Sequence, residues 1–150
     1  MLRTSLLTAV AVALIWPATG LAAGRTETLR IFSKPQTFTI TTPDGKVTHE
    51  PPAGAPAPGT VMEIDSLDYR GTFKKHEKRV FASDYLHCTW ATDPENPDCY
   101  GYVAIGSSLL RFHNLDVIGG TNRYAGATGS VISDKEVPGG SENVVKIKLG

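Results

Sequence analysis

The feature that most constrains the fold is the absence of helical periodicity after the first 22 residues. The chain is instead divided into short runs of β-branched and aromatic residues, separated by Gly, Pro, Asn and Asp. We expect strands over residues 28–32, 37–42, 60–65, 68–73, 79–90, 100–105, 108–117, 127–133 and 143–149, with a short one at 47–49. This spacing predicts an all-β barrel or sandwich of about eight strands.

The first 22 residues differ from the rest in pattern. A short head with Arg3 precedes an apolar run over residues 6–16, which Pro17 and a small-residue stretch follow. That order is typical of a secretory signal peptide, and the apolar run is shorter than the roughly 20 residues that span a bilayer. An uncleaved anchor is the alternative. We expect cleavage after Ala22 and a secreted or periplasmic protein without membrane contact.

The remaining residues have the length of one domain. We expect residues 23–59 to supply N-terminal strands and a Pro-rich loop, and residues 60–150 to form the barrel body of the same domain. The segment 50–59 (EPPAGAPAPG) is too rich in Pro for a sheet interior. The whole chain has 15 Lys and Arg against 15 Asp and Glu, so charge gives no reason to expect a nucleic-acid partner.

The chain contains two cysteines, Cys88 and Cys99. In an oxidising compartment such a pair most simply forms one disulfide. A metal pair is the alternative, but the C-x₂-C spacing of zinc sites is missing. The four histidines also lack H-x-H or H-E-x-x-H spacing, so we expect no metal site and no cofactor.

The disulfide also suggests a strand register. If Cys88 lies opposite Cys99, then Tyr85 pairs with Tyr102, and a turn at residues 106–107 sets Tyr102 against Arg111. Because side chains alternate along a strand, two faces result. The apolar face carries Leu86, Cys88, Val103, Ile105, Leu110 and Phe112. The aromatic and polar face carries Tyr85, His87, Thr89, Tyr100, Tyr102, Arg111 and His113.

Two interpretations of these faces remain open. In the first, the apolar face is the core and the aromatic face meets solvent, as is common in antiparallel sheets. In the second, the aromatic face lines the barrel lumen and supplies catalytic candidates. These lumen candidates are Tyr85, His87, Tyr102, Arg111 and His113. Glu63, Asp65 and Asp84 are further acidic strand positions that could act as an acid–base pair, although such residues more often face water.

The most distinctive segment is residues 119–129, GGTNRYAGATG. Its first two glycines allow a sharp turn at positive φ, and its later small residues allow close approach of strands. It resembles the GGT-G-x-Y-x-G-A-x-G signature of the allene oxide cyclase-like and dirigent-like barrel families, with Asn122 where a glycine is usual. The matching structural positions are Gly119, Gly120, Thr121, Tyr124, Gly126 and Gly129.

The resemblance implies an eight-stranded antiparallel β-barrel of the calycin type with an apolar-walled cavity, often trimeric. Relatives in those families cyclise an unsaturated fatty-acid epoxide or direct the coupling of phenoxy radicals. Three functions follow as hypotheses. The barrel binds a small, mostly apolar molecule, or it is an isomerase or cyclase of a reactive unsaturated substrate. The third is a surface protein that acts through contacts with other proteins and holds no ligand.

Overall fold

The computed structural model describes residues 24–51 and 54–150. The predicted signal peptide over residues 1–22 and its cleavage site lie outside the described residues. Ten strands are present: β1 (Thr26–Thr41), β2 (Val47–Thr48), β3 (Val61–Thr72), β4 (Lys75–His76), β5 (Ala82–Thr89), β6 (Asp98–Ile105), β7 (Ser108–His113), β8 (Asp116–Gly120), β9 (Thr128–Val137) and β10 (Gly140–Lys148). The helical content of the described chain is one 3₁₀ turn, Asn122–Tyr124, and no helix there is long and apolar enough to cross a membrane.

Eight of the strands close an antiparallel barrel in the order β1-β10-β9-β8-β7-β6-β5-β3, and β3 pairs with β1 to complete the ring. The two-residue strands β2 and β4 pair with the ends of β1 and β3 outside this ring. The prediction of an all-β, eight-stranded antiparallel barrel is confirmed. Closure leaves no free edge along the main strands, which protects a sheet of this size from edge-to-edge association.

The boundaries of several strands differ from those predicted. Residues 28–32 and 37–42 belong to one strand, β1, whose register shifts between Pro35 and Thr37. A bulge accommodates a proline that has no N–H to donate, so the strand continues past it. Residues 60–65 and 68–73 likewise form a single strand, β3. By contrast, residues 108–117 divide into β7 and β8 at Asn114, which adopts a left-handed φ of 52°.

The predicted register of the central strands is confirmed. Cys88 pairs with Cys99 across β5 and β6, and their sulfurs lie 2.06 Å apart. Tyr102 pairs with Tyr85 on one side and with Arg111 on the other. A one-residue slip would exchange the two faces. The cysteine pair and the turn at residues 106–107 fix the register and so define which residues share a face.

One end of the barrel is filled by an apolar cluster. Its members come from β1, β7, β8, β10 and the segment after β8. They are Leu29, Ile31, Leu110, Phe112, Val117, Tyr124, Ala127, Val145 and Ile147. The glycine segment allows Tyr124 to reach this cluster. A Cβ on Gly120 would clash with the Cβ of Tyr124, at 2.7 Å, and with the carbonyl oxygen of Leu109, so only glycine fits at this position. Asn122 takes a left-handed φ of 49°, as its replacement of a glycine predicts.

Candidate functional site

The interior of the barrel contains a cavity of about 540 Å³. Its wall is mostly apolar, and the central strands contribute the face that carries Leu86, Val103 and Phe112. Strands β3, β9 and β10 add Ile64, Val131 and Val145. The volume lies within the range of small-molecule sites, so the lumen has room for a ligand of moderate size.

The cavity has a floor and an opening. Ile31, Phe112 and Val145 belong both to its lining and to the apolar cluster, so the cluster forms the floor. At the other end the lining includes Leu115 and Val137, which lie at the β7–β8 and β9–β10 turns. Leu115 is 57% exposed, so the cavity meets solvent at these turns.

The most polar part of the wall is centred on Asp68 of β3, which is 1% exposed. The Ser33 hydroxyl donates a hydrogen bond to its Oδ1 at 2.6 Å. Asn143 Nδ2 donates to the Ser33 hydroxyl at 3.4 Å and to the Ser141 hydroxyl at 2.9 Å. Asp68 Oδ2 has no hydrogen-bond partner within the described residues, although it is buried. The cluster therefore has an unused hydrogen-bonding position in the cavity wall.

A second carboxyl group lies beside Asp68. Asp84 of β5 also lines the cavity and pairs with Ser66 of β3, two residues before Asp68. Burial, followed by the charge of Asp84, raises the pKa of Asp68 to about 8. Burial also raises the pKa of Asp84, against hydrogen bonds that involve Ser66, Asp68 and Ser33. Since two adjacent carboxylates in an apolar wall cannot both ionise cheaply, the pair retains a proton at neutral pH.

The cavity wall carries two more acidic groups on β9, Asp134 and Glu136. Burial, and then the neighbouring Glu136, raises the pKa of Asp134. Thus four acidic residues border the cavity, and no Lys, Arg or His is found among its lining residues in the described chain. The site is therefore acidic as well as apolar.

The five residues predicted as lumen candidates lie on the outward face of the barrel. Alternation along β5–β7 decides this, because Asp84, Leu86 and Cys88 point inward and the residues between them point outward. The candidates are Tyr85, His87, Tyr102, Arg111 and His113. Tyr102 is 44% exposed, and Arg111 is exposed as well. The first interpretation of the two faces, with the apolar face inside, is the one that the structure shows.

These residues, together with Tyr100, form what we call the outer aromatic face: Tyr85, His87, Tyr100, Tyr102, Arg111 and His113. Tyr85 and Tyr102 are also among the residues that line the cavity, but their rings lie on the outward face, with centroids 5.5 Å apart. The Tyr85 hydroxyl donates to Glu63 Oε1 at 2.6 Å, which raises the Tyr85 pKa to about 12. Tyr100 stacks on His113 at 4.4 Å, and His113 Nε2 lies 2.6 Å from Asp98 Oδ1. The face is a network of surface pairs.

Sequence reasoning singled out Asp84 but missed its partner Asp68. Asp68 was placed at the start of a separate strand, where a carboxylate usually faces water. The signal was present in the two-residue period: Ile64, Ser66 and Asp68 share a face, and Ile64 is apolar. Recognising β3 as one uninterrupted strand would have placed Asp68 inside the barrel.

Among the described residues, no group of three or more His, Cys, Asp or Glu side chains is arranged to hold a metal ion. What the fold and site define is a class of protein: a closed antiparallel barrel with an acidic, apolar-walled lumen. No protein-family model matches the chain, and no curated protein matches it in sequence.

Proposed function

We propose that this protein is an exported barrel that binds a small, mostly apolar molecule in its lumen. The observation that carries the proposal is the 540 Å³ cavity, whose apolar wall contains one polar cluster centred on the buried Asp68. Ligand pockets typically combine an apolar wall with a few oriented polar groups. The signal-like first 22 residues and the paired cysteines support export.

The resemblance to allene oxide cyclase-like and dirigent-like barrels supports the same function. It rests on the segment 119–129, which here holds Tyr124 in the floor of the lumen. A shared glycine segment transfers fold more readily than chemistry, so the family assignment is part of this proposal. The trimeric assembly that the resemblance implies belongs to it as well.

The test is titration of the full chain with the neutral fluorophore N-phenylnaphthylamine. We expect saturable one-to-one binding, which Val103→Trp weakens at least about tenfold because the indole fills the cavity. The matched control is Ala104→Trp, one residue along β6 on the outward face, which leaves binding unchanged. If Val103→Trp fails to fold, Val131→Phe serves the same purpose. Absence of saturable binding, or equal loss in the control, overturns the proposal.

Native mass spectrometry of the protein from its own host gives an independent measurement. We expect a mass excess that disappears on denaturation, because the lumen retains its ligand. The same spectrum counts the subunits. A measured mass equal to that of the chain alone, together with no probe binding, favours the third hypothesis, a surface protein without a ligand.

An isomerase or cyclase is the second candidate, and the acid pair is the observation that favours it. Protonated Asp68 can donate its proton to an oxygen of a ligand in the cavity, as a general acid does. We expect turnover of an unsaturated epoxide to be lost in Asp68→Asn and retained in Tyr102→Phe. Binding without turnover would contradict the isomerase or cyclase and support the binding function.

A further inference from the structure

The charge of the cavity wall restricts what the lumen can hold. Four acidic residues border it: Asp68, Asp84, Asp134 and Glu136. No cationic side chain among the described residues that line the cavity offsets them. A ligand carboxylate would enter an apolar, acidic space without a counter-charge, which is unfavourable both by desolvation and by repulsion. A ligand cation also pays for desolvation, but these carboxyl groups attract it instead of repelling it.

Asp68 adds a site of defined geometry to this general preference. Its Oδ1 accepts from Ser33, whereas its buried Oδ2 accepts no hydrogen bond in the described chain, and Asp68 is one of the residues that line the lumen. A buried acceptor without a donor costs free energy, which a donor on the ligand recovers. Since Asp84 supplies a second carboxyl group beside it, the position suits a donor that carries a positive charge.

We propose that the lumen selects apolar molecules that carry a basic amine, and that the ammonium group binds between Asp68 and Asp84. This inference rests on the proposed function and specifies its ligand class. It also separates the chain from the fatty-acid chemistry that the resemblance implies, because a fatty carboxylate is the ligand that this wall rejects.

Binding of an ammonium group is coupled to a proton. The pKa of Asp68 is about 8, so at neutral pH the carboxyl pair holds one proton. The ammonium takes the place of this proton, which leaves for solvent, so the overall charge balances. Besides burial, Asp65 of β3, on the outward face, adds to the raised pKa of Asp84, and the other charged residues that border the cavity are Asp134 and Glu136 of β9. Amine affinity therefore rises with pH until the pair is ionised.

The experiment compares decylamine, decanol and decanoic acid as competitors of N-phenylnaphthylamine on the full chain. At pH 8 we expect decylamine to displace the probe at about tenfold lower concentration than decanol, and decanoate to be the weakest. From pH 6 to pH 8 the affinity for decylamine should rise about tenfold or more, whereas that for decanol stays constant.

The variants assign the effect to the acid pair. Asp68→Asn should lose both the preference for decylamine over decanol and the pH dependence of decylamine binding. Asp98→Asn, on the outer surface beside His113, is the matched control and should behave like the parent. If Asp68→Asn fails to fold, Asp84→Asn replaces it.

The outcomes distinguish this inference from the proposed function. Failure of all three competitors and of the probe to bind overturns both. Displacement by decanol with no advantage for decylamine, or decanoate binding as tightly as decylamine, overturns the inference alone. A preference for decylamine that persists in both Asp68→Asn and Asp84→Asn also overturns it.

Discussion

The inner and outer faces of strands β5–β7 are built from alternating residues of the same chain, yet they differ in almost every physical property. The inner face is mostly apolar, lines the cavity and carries Asp84, which lies beside Asp68 of β3, and both carboxyl groups have raised pKa values. The outer aromatic face has more ionisable and hydrogen-bonding groups, but solvent reaches them and they pair with one another. The number of polar side chains on a face therefore does not show where a ligand-binding site lies. Enclosure does, because an enclosed polar group has fewer hydrogen-bond partners available to it.

The largest expected difference between the faces concerns stability. Leu110 is fully buried in the apolar cluster, whereas its neighbour Leu109 points outward and is half-buried. We expect Leu110→Ala to lower the free energy of unfolding by about 2–5 kcal/mol, through lost burial and the cavity left behind. Leu109→Ala, the matched control, should cost less than about 1.5 kcal/mol. Urea denaturation measures both, and equal losses would contradict the assignment of the faces.

The next effect is the pH dependence of stability. The folded pKa of Asp68 is about 8, above the value near 4 of an unfolded chain, so the folded state holds a proton that the unfolded state releases. The resulting stabilisation is complete below about pH 4 and is lost as the pH rises to about 8. One such group changes the free energy of unfolding by up to about 1.4 kcal/mol per pH unit.

Urea denaturation at several pH values between 5 and 8 checks this expectation. The parent should become less stable as the pH rises, and Asp68→Asn should show a shallower slope because it removes the proton that is lost. Glu77→Gln, at an exposed position between β4 and β5, should keep the slope of the parent. A slope that Asp68→Asn leaves unchanged would show that the inner carboxyl group is no harder to ionise than an outer one.

The smallest effect concerns the outer aromatic face itself. Tyr100 stacks on His113, but both rings are in contact with solvent. A double-mutant cycle with Tyr100→Ala and His113→Ala should give a coupling energy of about 0.5–1.5 kcal/mol. Neither variant should change binding of the fluorescent probe. A coupling well above this range, or loss of binding, would mean that the outer face contributes more than surface pairing.

The parts of the fold that sequence reasoning reached are those where one residue type has few alternatives. A cysteine pair demands one cross-strand partner, so Cys88 and Cys99 set the register of β5 and β6, and the turn at residues 106–107 sets that of β6 and β7. Similarly, the approach of Tyr124 to Gly120 leaves no room for any other side chain at that glycine. Constraints of this kind act between residues that are close in the sequence and can therefore be predicted from it.

The parts that it did not reach depend on tertiary context. Asp68 and Ser66 have low strand propensity, and only burial against Ser33 and Asp84 keeps them in an uninterrupted β3. Asn114 is a typical turn residue, but residues 108–117 contain no Gly or Pro to mark a turn there. The carboxyl pair requires β3 and β5 to be adjacent, which no motif in either strand specifies.

The apolar cluster around Tyr124 closes one end of the barrel, so a ligand in the cavity cannot pass through that end. A bound ligand occupies the cavity, and a second one binds only after the first has dissociated. Different ligands then compete for this one site, and at equilibrium their occupancies follow their concentrations and affinities. A ligand longer than the cavity leaves its far end in solvent, where a molecule that delivers or removes the ligand can contact it.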